Sequence, residues 1–208
     1  MDKQIQPSEY STLIILDWDD TLFPTHWVIS NNMNVGNKLL RHKYIDYFKN
    51  LDGVLSKFLQ KIIKIGKVII ITNALLEWIG LSSDILPKTT QVLKHIKVIS
   101  ARAKYQPVSE NIMDWKELAF KNEIASEFKT TQPLNVISIG DANYEYKALI
   151  SLFNWNQHKS EKILKSVKFI KDPHHHTLIE QLKILDSAII DIVKLNKHLD
   201  LKFDPVQN

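Results

Sequence analysis

The stretch "TLIILDWDDTLFPTHW", Thr12–Trp27, joins a strongly apolar run to three aspartates within four positions: Asp17, Asp19 and Asp20. Residues 13–16 are consecutive aliphatic residues, which is typical of a strand buried on both faces of a parallel sheet. Carboxylates placed that close repel one another and add nothing to a hydrophobic core. Their position therefore indicates chemistry at the end of a strand.

The composition bounds the class of protein. The 208 residues are 44% hydrophobic and 24% charged, typical of a globular chain, and no apolar run approaches the ~20 residues that span a membrane. We expect one domain over residues 1–208, with its core at about 12–200, in a soluble, cytoplasmic-type protein without a Sec-type signal peptide. The net charge of +4 comes from scattered lysines, which favours a solvated surface over a nucleic-acid interface.

The sequence contains no cysteine. Disulfide scaffolds, cysteine-rich zinc sites and enzymes with a thiolate nucleophile are therefore excluded. Any covalent catalysis must use an oxygen or nitrogen nucleophile.

Strand and helix patterns alternate along the chain and predict an α/β fold, a three-layer, doubly wound (Rossmann-like) parallel sheet. The predicted strands are 12–18, 67–73, 97–100, 134–141 and 166–173. The predicted helices include 114–128, with Asp114 as its N-cap, and a terminal helix from 177 to about 199. In such sheets ligands bind beyond the carboxyl ends of the strands, where the strand order reverses.

Polar residues follow several of these strands directly. The first strand ends at Asp17 and Asp19, the second at Thr72 and Asn73, and the fourth at Asp141. Asp17 and Asp19 are two residues apart, so both can project to the same side. A cluster of carboxylates here would suit a hard cation such as Mg²⁺. A metal-free carboxylate pair, with one raised pKa, is the alternative.

Taken together, these residues resemble the motifs of the haloacid dehalogenase (HAD) superfamily of phosphatases. The stretch "LDWDDT" is similar to the first motif, Asp-x-Asp-x-Thr, and the strand that ends at Thr72 is similar to the second. The stretch "GDANYE" resembles the acidic fourth motif, with Glu145 in the place of a second aspartate. For the lysine of the third motif we favour Lys116, with Lys104 and Lys121 as alternatives.

The resemblance implies a Mg²⁺-dependent phosphomonoester hydrolase. Asp17 would be the nucleophile that forms an aspartyl-phosphate, and Asp19 would protonate the leaving oxygen and then activate water. Thr72 and Lys116 would complete the catalytic set. The implied metal ligands are Asp17, Asp19 (through its carbonyl), Asp141 and Glu145, and the implied substrate-binding residues are Thr21, Phe23, Trp27 and Asn73. Haloacid dehalogenases lack the second aspartate of the first motif, which argues against dehalogenation here.

Members of this superfamily select substrates largely through cap insertions. About fifty residues separate Thr21 from Thr72, and the interval from Asn73 to Lys116 is similar, so neither has room for a cap of roughly 100 residues. We therefore expect a HAD-like domain with little or no cap and an open site, suited to a phosphoprotein or a phosphorylated nucleic-acid end.

The segment "DWDDTLFPTHWV", residues 17–28, resembles the corresponding stretch, also rich in aromatic residues, of capless magnesium-dependent phosphatases, which act on phosphotyrosine; we call residues 18–27 the flap. Phe23, Trp27 and Trp18 would then border a slot for an aryl phosphate, or alternatively pack the flap onto the body of the protein. The Gly-poor composition is also similar to that of HAD-type tyrosine phosphatase effectors of Legionella, which would imply secretion into a host cell.

A phosphotyrosine protein is thus the expected partner, with no nucleic acid. The alternatives are a phosphatase of nucleotides or nucleic-acid ends, and a catalytically inactive HAD-like binding module.

Overall fold

The computed structural model describes residues 6–8, 11–37, 42–128, 134–157 and 160–204. Six strands within these ranges form one parallel sheet in the order β3-β2-β1-β4-β5-β6. The strands are β1 Thr12–Leu16, β2 Lys67–Thr72, β3 Lys97–Ser100, β4 Leu134–Gly140, β5 Lys162–Lys168 and β6 Leu199–Lys202. The predicted doubly wound α/β fold is confirmed.

Helices connect the strands, as parallel pairing requires. In chain order they are α1 Thr25–Ser30, α2 Ile45–Ile62, α3 Leu76–Ser83, α4 Pro87–Leu93, α5 Ala101–Tyr105, α6 Ile112–Glu127, α7 Asn143–Ser151 and α8 His175–Lys194. Within the described ranges, none of these helices is both long enough and apolar enough to cross a membrane.

The aliphatic run of β1 lies between two hydrophobic cores. Ile14 and Leu16 pack with α2 and α8 on one face of the sheet, while Leu13 and Ile15 pack with α6 and α7 on the other. Successive side chains of a strand point to opposite faces, so a strand covered on both sides needs apolar residues at every position. This burial explains the run that precedes the three aspartates.

The strand order reverses between β1 and β4, the two central strands. Leu16 pairs with Ile139, and the backbone amide of Asp17 donates to the carbonyl of Ile139 over 2.9 Å. The residues that follow these two strands, Asp17 and Asp141, are therefore brought to the same point of the sheet edge. This is the position at which doubly wound sheets bind ligands.

Several elements differ from the prediction. The terminal helix ends at Lys194, and Leu199–Lys202 form β6, a sixth strand that the sequence did not predict. This edge strand has four residues, most of them exposed, so it lacks the apolar run that marks the central strands. The fifth strand lies earlier than predicted, at Lys162–Lys168. The N-cap of α6 is Asn111, and so the prediction of Asp114 was wrong; the Asn111 side chain accepts from the amide of Met113 over 3.1 Å.

The connections near the site consist of helices and loops in the part of the chain that is described. Between β1 and β2 lie α1 and α2, and between β2 and β3 lie α3 and α4. No second sheet is inserted in either described connection. The carboxyl edge of the sheet therefore carries no domain-sized insertion there.

Candidate active site

Four charged side chains meet where β1 and β4 end. Asp17 and Asp141 follow the two strands, Lys116 comes from the second turn of α6, and Glu145 comes from the first turn of α7. All four are buried, with exposed fractions of 5%, 7%, 1% and 4% in that order. One oxygen from each of the three carboxylates lies within 4.8 Å of the others. The fold thus builds a compact, water-poor cluster of three acids and one base.

Lys116 lies at the centre of this cluster. Its Nζ lies 2.7 Å from Oδ1 of Asp17, and it also donates a hydrogen bond to Oε1 of Glu145. Burial by itself lowers the pKa of Lys116, but the carboxylates of Asp17 and Glu145 outweigh it and hold the pKa above its ordinary value. Lys116 is therefore a buried ammonium ion at neutral pH.

The two alternative lysines have other partners. Lys104 Nζ lies 3.7 Å from the carboxylate of Glu123, and Lys121 forms an i,i+4 pair of 2.5 Å with Glu117. Lys121 lies on the same helix as Lys116 but is partly exposed, so its ion pair with Glu117 lies at the surface. The geometry thus brings Lys116, and neither alternative, to Asp17.

Glu145 links the cluster to the start of α7. Its Oε2 accepts from the backbone amide of Ala142 over 3.1 Å, while Oε1 accepts from Lys116. The side chain lies directly over Gly140, where an added Cβ would be 2.4 Å from Cγ of Glu145. Gly140 is therefore required by this close approach of a side chain to the backbone.

The cluster carries more negative than positive charge. Burial raises the pKa of Asp17 well above its ordinary value, although the ammonium of Lys116 opposes the shift. Burial also raises the pKa of Asp141 to about 7, and the carboxylate of Glu145 adds to this effect. A set of carboxylate oxygens with excess negative charge fits a hard divalent cation such as Mg²⁺, which would offset the repulsion.

Asp19 lies beside this cluster and is held by side-chain donors. Its Oδ1 accepts from Oγ1 of Thr25 over 2.5 Å and from Nε1 of Trp78 over 2.8 Å. Its Oδ2 accepts from Oγ1 of Thr72 over 3.4 Å. The Thr72 oxygen itself accepts from the backbone amide of Ala74 over 2.9 Å. Trp78 is a site residue that the sequence does not predict, because no pattern marks a tryptophan that bonds a carboxylate from another strand end.

Two predicted phosphate-binding residues have polar atoms that lack partners. Both polar atoms of the Asn73 side chain, and Oγ1 of Thr21, are buried without a hydrogen bond to any residue that the structure describes. Buried polar atoms are nearly always hydrogen-bonded in proteins. Asn73 directly follows Thr72, and Thr21 lies two residues after Asp19, so these buried polar atoms belong to the two strand ends at the candidate site.

Asp20 is a turn residue of the flap. Its φ of 53° lies in the left-handed region, which Asp tolerates better than most residues. Its carboxylate accepts from the backbone amide of His26 in α1 over 2.9 Å. Burial raises the pKa of Asp20 to about 6, against the opposing effect of this hydrogen bond. Asp20 thus orders the flap and lies outside the three-carboxylate cluster.

The aromatic residues of the flap belong to the core. Phe23 and Trp18 are fully buried, and Trp27 is 7% exposed. The ring of Phe23 is nearly parallel to those of Trp18 and Phe48, each 6.2 Å away, and Trp27 stacks on His175 at 4.1 Å. Of the two predicted arrangements, the rings of Phe23, Trp27 and Trp18 therefore adopt the second, in which they pack the flap onto the body of the protein. The flap folds back onto α2 and α8, so these rings fill the core instead of bordering the site.

Comparisons with known proteins add little to this geometry. No protein-family model and no curated protein matches the sequence. Among solved structures, the chain is similar to a HAD family hydrolase from Deinococcus radiodurans R1 whose crystal structure contains bound phosphate and sodium. The similarity covers 91% of this chain and 100% of that one, at 10% identity and a TM-score of 0.44. A likeness of this size does not establish the family of the chain.

Proposed function

We propose that the protein is a phosphomonoester hydrolase that forms an aspartyl-phosphate on Asp17. The observation that supports this most directly is the buried ion pair between Asp17 and Lys116 where the strand order reverses. Asp19 follows the same strand as Asp17, and Thr72, at the end of the neighbouring strand β2, donates to it, so a nucleophile, a cation, a hydroxyl donor and a second carboxyl group converge. A metal-free acid pair is less consistent with this arrangement, because the cluster holds three carboxylates and a lysine.

In this mechanism a carboxylate oxygen of Asp17 attacks phosphorus, forming the Asp17 O–P bond as the ester P–O bond breaks. Burial alone would favour the protonated, unreactive carboxyl group, whereas Lys116 favours the ionised one. Lys116 therefore both supports the nucleophile and stabilises charge that develops on the phosphoryl oxygens. Phosphoryl transfer depends chiefly on such positioning and charge stabilisation.

Asp19 supplies the proton for the leaving oxygen and then removes a proton from the water that hydrolyses the intermediate. Thr72 and the Asn73 amide would bind the phosphoryl oxygens from β2. The position of Asn73 directly after Thr72, at the end of β2, supports this assignment for its backbone amide.

Asp17 and Asp141 would hold Mg²⁺, with Glu145 and the Asp19 carbonyl nearby. Bound Mg²⁺ would neutralise phosphate charge and offset the repulsion between the carboxylates. The excess of buried acidic groups over Lys116 supports this cofactor.

We further propose a large substrate, namely a protein that carries phosphotyrosine. The short described connections at the carboxyl edge leave access for a macromolecule. Leu75 and Leu76, which are 44% and 50% exposed, follow Thr72 and Asn73 closely and offer apolar surface beside the proposed phosphate site. Such a surface suits an aryl group better than a sugar.

A panel of phosphate esters tests this proposal. The wild-type protein and Asp17→Asn are assayed with phosphotyrosine and phosphoserine peptides, 4-nitrophenyl phosphate, and 3′- and 5′-phosphorylated oligonucleotides, with Mg²⁺ or with EDTA. We expect Mg²⁺-dependent release of phosphate from the aryl esters by the wild type alone, with unchanged circular dichroism in the variant. A preference for the oligonucleotides would replace phosphotyrosine proteins by phosphorylated nucleic-acid ends as the proposed substrate class. No turnover with any ester would refute the enzymatic function.

A further inference from the structure

The side chain of Trp78, on α3, fixes the proposed acid-base residue. Its Nε1 donates to Oδ1 of Asp19 over 2.8 Å, and Oγ1 of Thr25 donates to the same oxygen over 2.5 Å. Trp78 follows the end of β2 by six positions, so α3 reaches back over the strand end on which Thr72 lies. The contact is thus made between two separate connections of the sheet, at the proposed catalytic centre.

Trp78 is itself held on both sides. Its carbonyl accepts from Oγ of Ser82 over 2.7 Å, and this hydroxyl in turn accepts from Nε1 of Trp18 over 3.0 Å. Its ring also meets that of Phe23 edge-on, with 5.9 Å between the centroids. The flap residues on either side of Asp19 are therefore locked to α3, which leaves the Asp19 carboxyl group little freedom to rotate.

The two oxygens of Asp19 have unequal environments. Oδ1 has two close donors, so a proton on that oxygen would compete with both hydrogen bonds. Among the residues that the structure describes, Oδ2 has one hydrogen-bond partner, Oγ1 of Thr72, which donates to it over 3.4 Å and which, as a hydroxyl, accepts instead when Oδ2 carries a proton. The oxygen that can carry a proton is therefore Oδ2, on the side of the proposed phosphate-binding residue.

We propose that Trp78 is a positioning residue that, with Thr25, orients Asp19 so that Oδ2 delivers the proton to the leaving oxygen. This inference depends on the proposed function. As the Asp17 O–P bond forms and the ester P–O bond breaks, the proton moves from Oδ2 to the departing oxygen. In the second step Oδ2 accepts a proton from the attacking water, which restores the acid.

The dependence of kcat/KM on the leaving group tests this role, because kcat/KM covers the steps through formation of the aspartyl-phosphate. Trp78→Phe keeps an aromatic ring but removes the N–H donor. An alkyl phosphate needs the proton, whereas 4-nitrophenyl phosphate, with its good leaving group, hardly does. We expect Trp78→Phe to lower kcat/KM by more than about 10-fold for the alkyl ester and by less than about 3-fold for the nitrophenyl ester.

Two sets of controls separate positioning from general damage. Trp155→Phe makes the same substitution at a residue that follows the carboxyl end of α7. We expect kcat/KM of this variant to depend on the leaving group as it does in the wild type. Thr25→Val removes the second donor to Oδ1 without touching α3, and should reproduce the selective loss, while Thr25→Ser should retain most activity. The Thr25 pair also tests the inference if Trp78→Phe proves poorly folded.

The outcomes are distinct. A steeper dependence on the leaving group in Trp78→Phe, or in Thr25→Val but not Thr25→Ser, supports the inference. If the wild type is active and these variants lose activity equally with both esters, or not at all, this inference alone is overturned. If the wild type hydrolyses neither ester, the proposed function fails and this inference fails with it.

Discussion

The amino group of Lys116 lies 2.7 Å from Oδ1 of Asp17 in a region where both residues are almost fully buried. Buried ion pairs add little to stability compared with a well-packed apolar core, because both ions lose their hydration. Removing one partner is costly, however, since the other charge is then left buried and unpaired. The pair is therefore better explained by chemistry than by folding, and it leads to the first prediction.

Lys116→Met should abolish turnover and lower the free energy of unfolding by about 3 kcal/mol, because it leaves buried carboxylates without their cation. Urea denaturation measures the stability. Lys121→Met is the matched control on the same helix. This variant removes only a surface i,i+4 ion pair, so its free energy of unfolding should fall by no more than about 0.5 kcal/mol. Equal stability of the two variants would contradict the central position of Lys116.

Gly140→Ala should impair both stability and activity. The new Cβ would meet Cγ of Glu145 at 2.4 Å, so Glu145 must move and release its hold on Lys116. We expect a loss of about 1–3 kcal/mol, typical of overpacking. Gly53→Ala is the control: no described residue comes within 4 Å of a Cβ added there, and alanine in the middle of α2 should stabilise by about 0.5–1 kcal/mol. Thermal unfolding should therefore show a lower melting temperature for Gly140→Ala, and a higher one for Gly53→Ala, than for the wild type.

Mg²⁺ should raise the melting temperature of the wild type by binding the carboxylate cluster. Asp141→Asn should lose this shift and, because burial already raises the pKa of Asp141 to about 7, should melt higher than the wild type in EDTA. Asp200→Asn, at an exposed position of β6, should retain the Mg²⁺ shift. A persistent Mg²⁺ shift in Asp141→Asn would place the cation elsewhere.

Lys165 gives a prediction on pH that concerns the fold alone. This fully buried lysine of β5 donates to the carbonyl of Val193 near the end of α8 over 2.8 Å, and burial lowers its pKa to about 8. In the unfolded chain its pKa is about 10.4. Between these values the unfolded state binds a proton that the folded state lacks, so stability due to Lys165 rises with pH.

Relative to Lys165→Met, the wild type should therefore gain about 2 kcal/mol of unfolding free energy between pH 7 and pH 10. Paired urea denaturation series at these two pH values measure the difference. A constant difference between the two proteins would show that Lys165 keeps its charge when buried.

The position of the candidate site could be predicted because it depends on local patterns and on topology. The aliphatic run before Asp17 marks a doubly covered strand, and alternating helices imply parallel pairing. The ends of β1 and β4 must then meet at the reversal of strand order, which brings Asp17 and Asp141 together. For Lys116 the sequence gives only its place at the start of a helix, and it is the packing of α6 that brings its amino group to Asp17.

Other features depend on how helices rotate and pack, which sequence spacing does not specify. Trp78 reaches Asp19 only because α3 turns that face toward the flap. Phe23 and Trp27 lie near the site in the sequence, yet their rings enter the core between the flap and the helices. The short strand β6 is recognisable only once β5 offers it an edge, since its own residues are mostly exposed.

Trapping the intermediate tests the central claim most directly. The wild-type protein is mixed with 4-nitrophenyl phosphate, quenched in acid within one turnover and digested, and mass spectrometry locates the phosphate. We predict a phosphorylated peptide in which Asp17 carries the group, and no such peptide from Asp17→Asn. Rapid turnover with no phosphate on Asp17, or phosphate on another residue, would contradict the account.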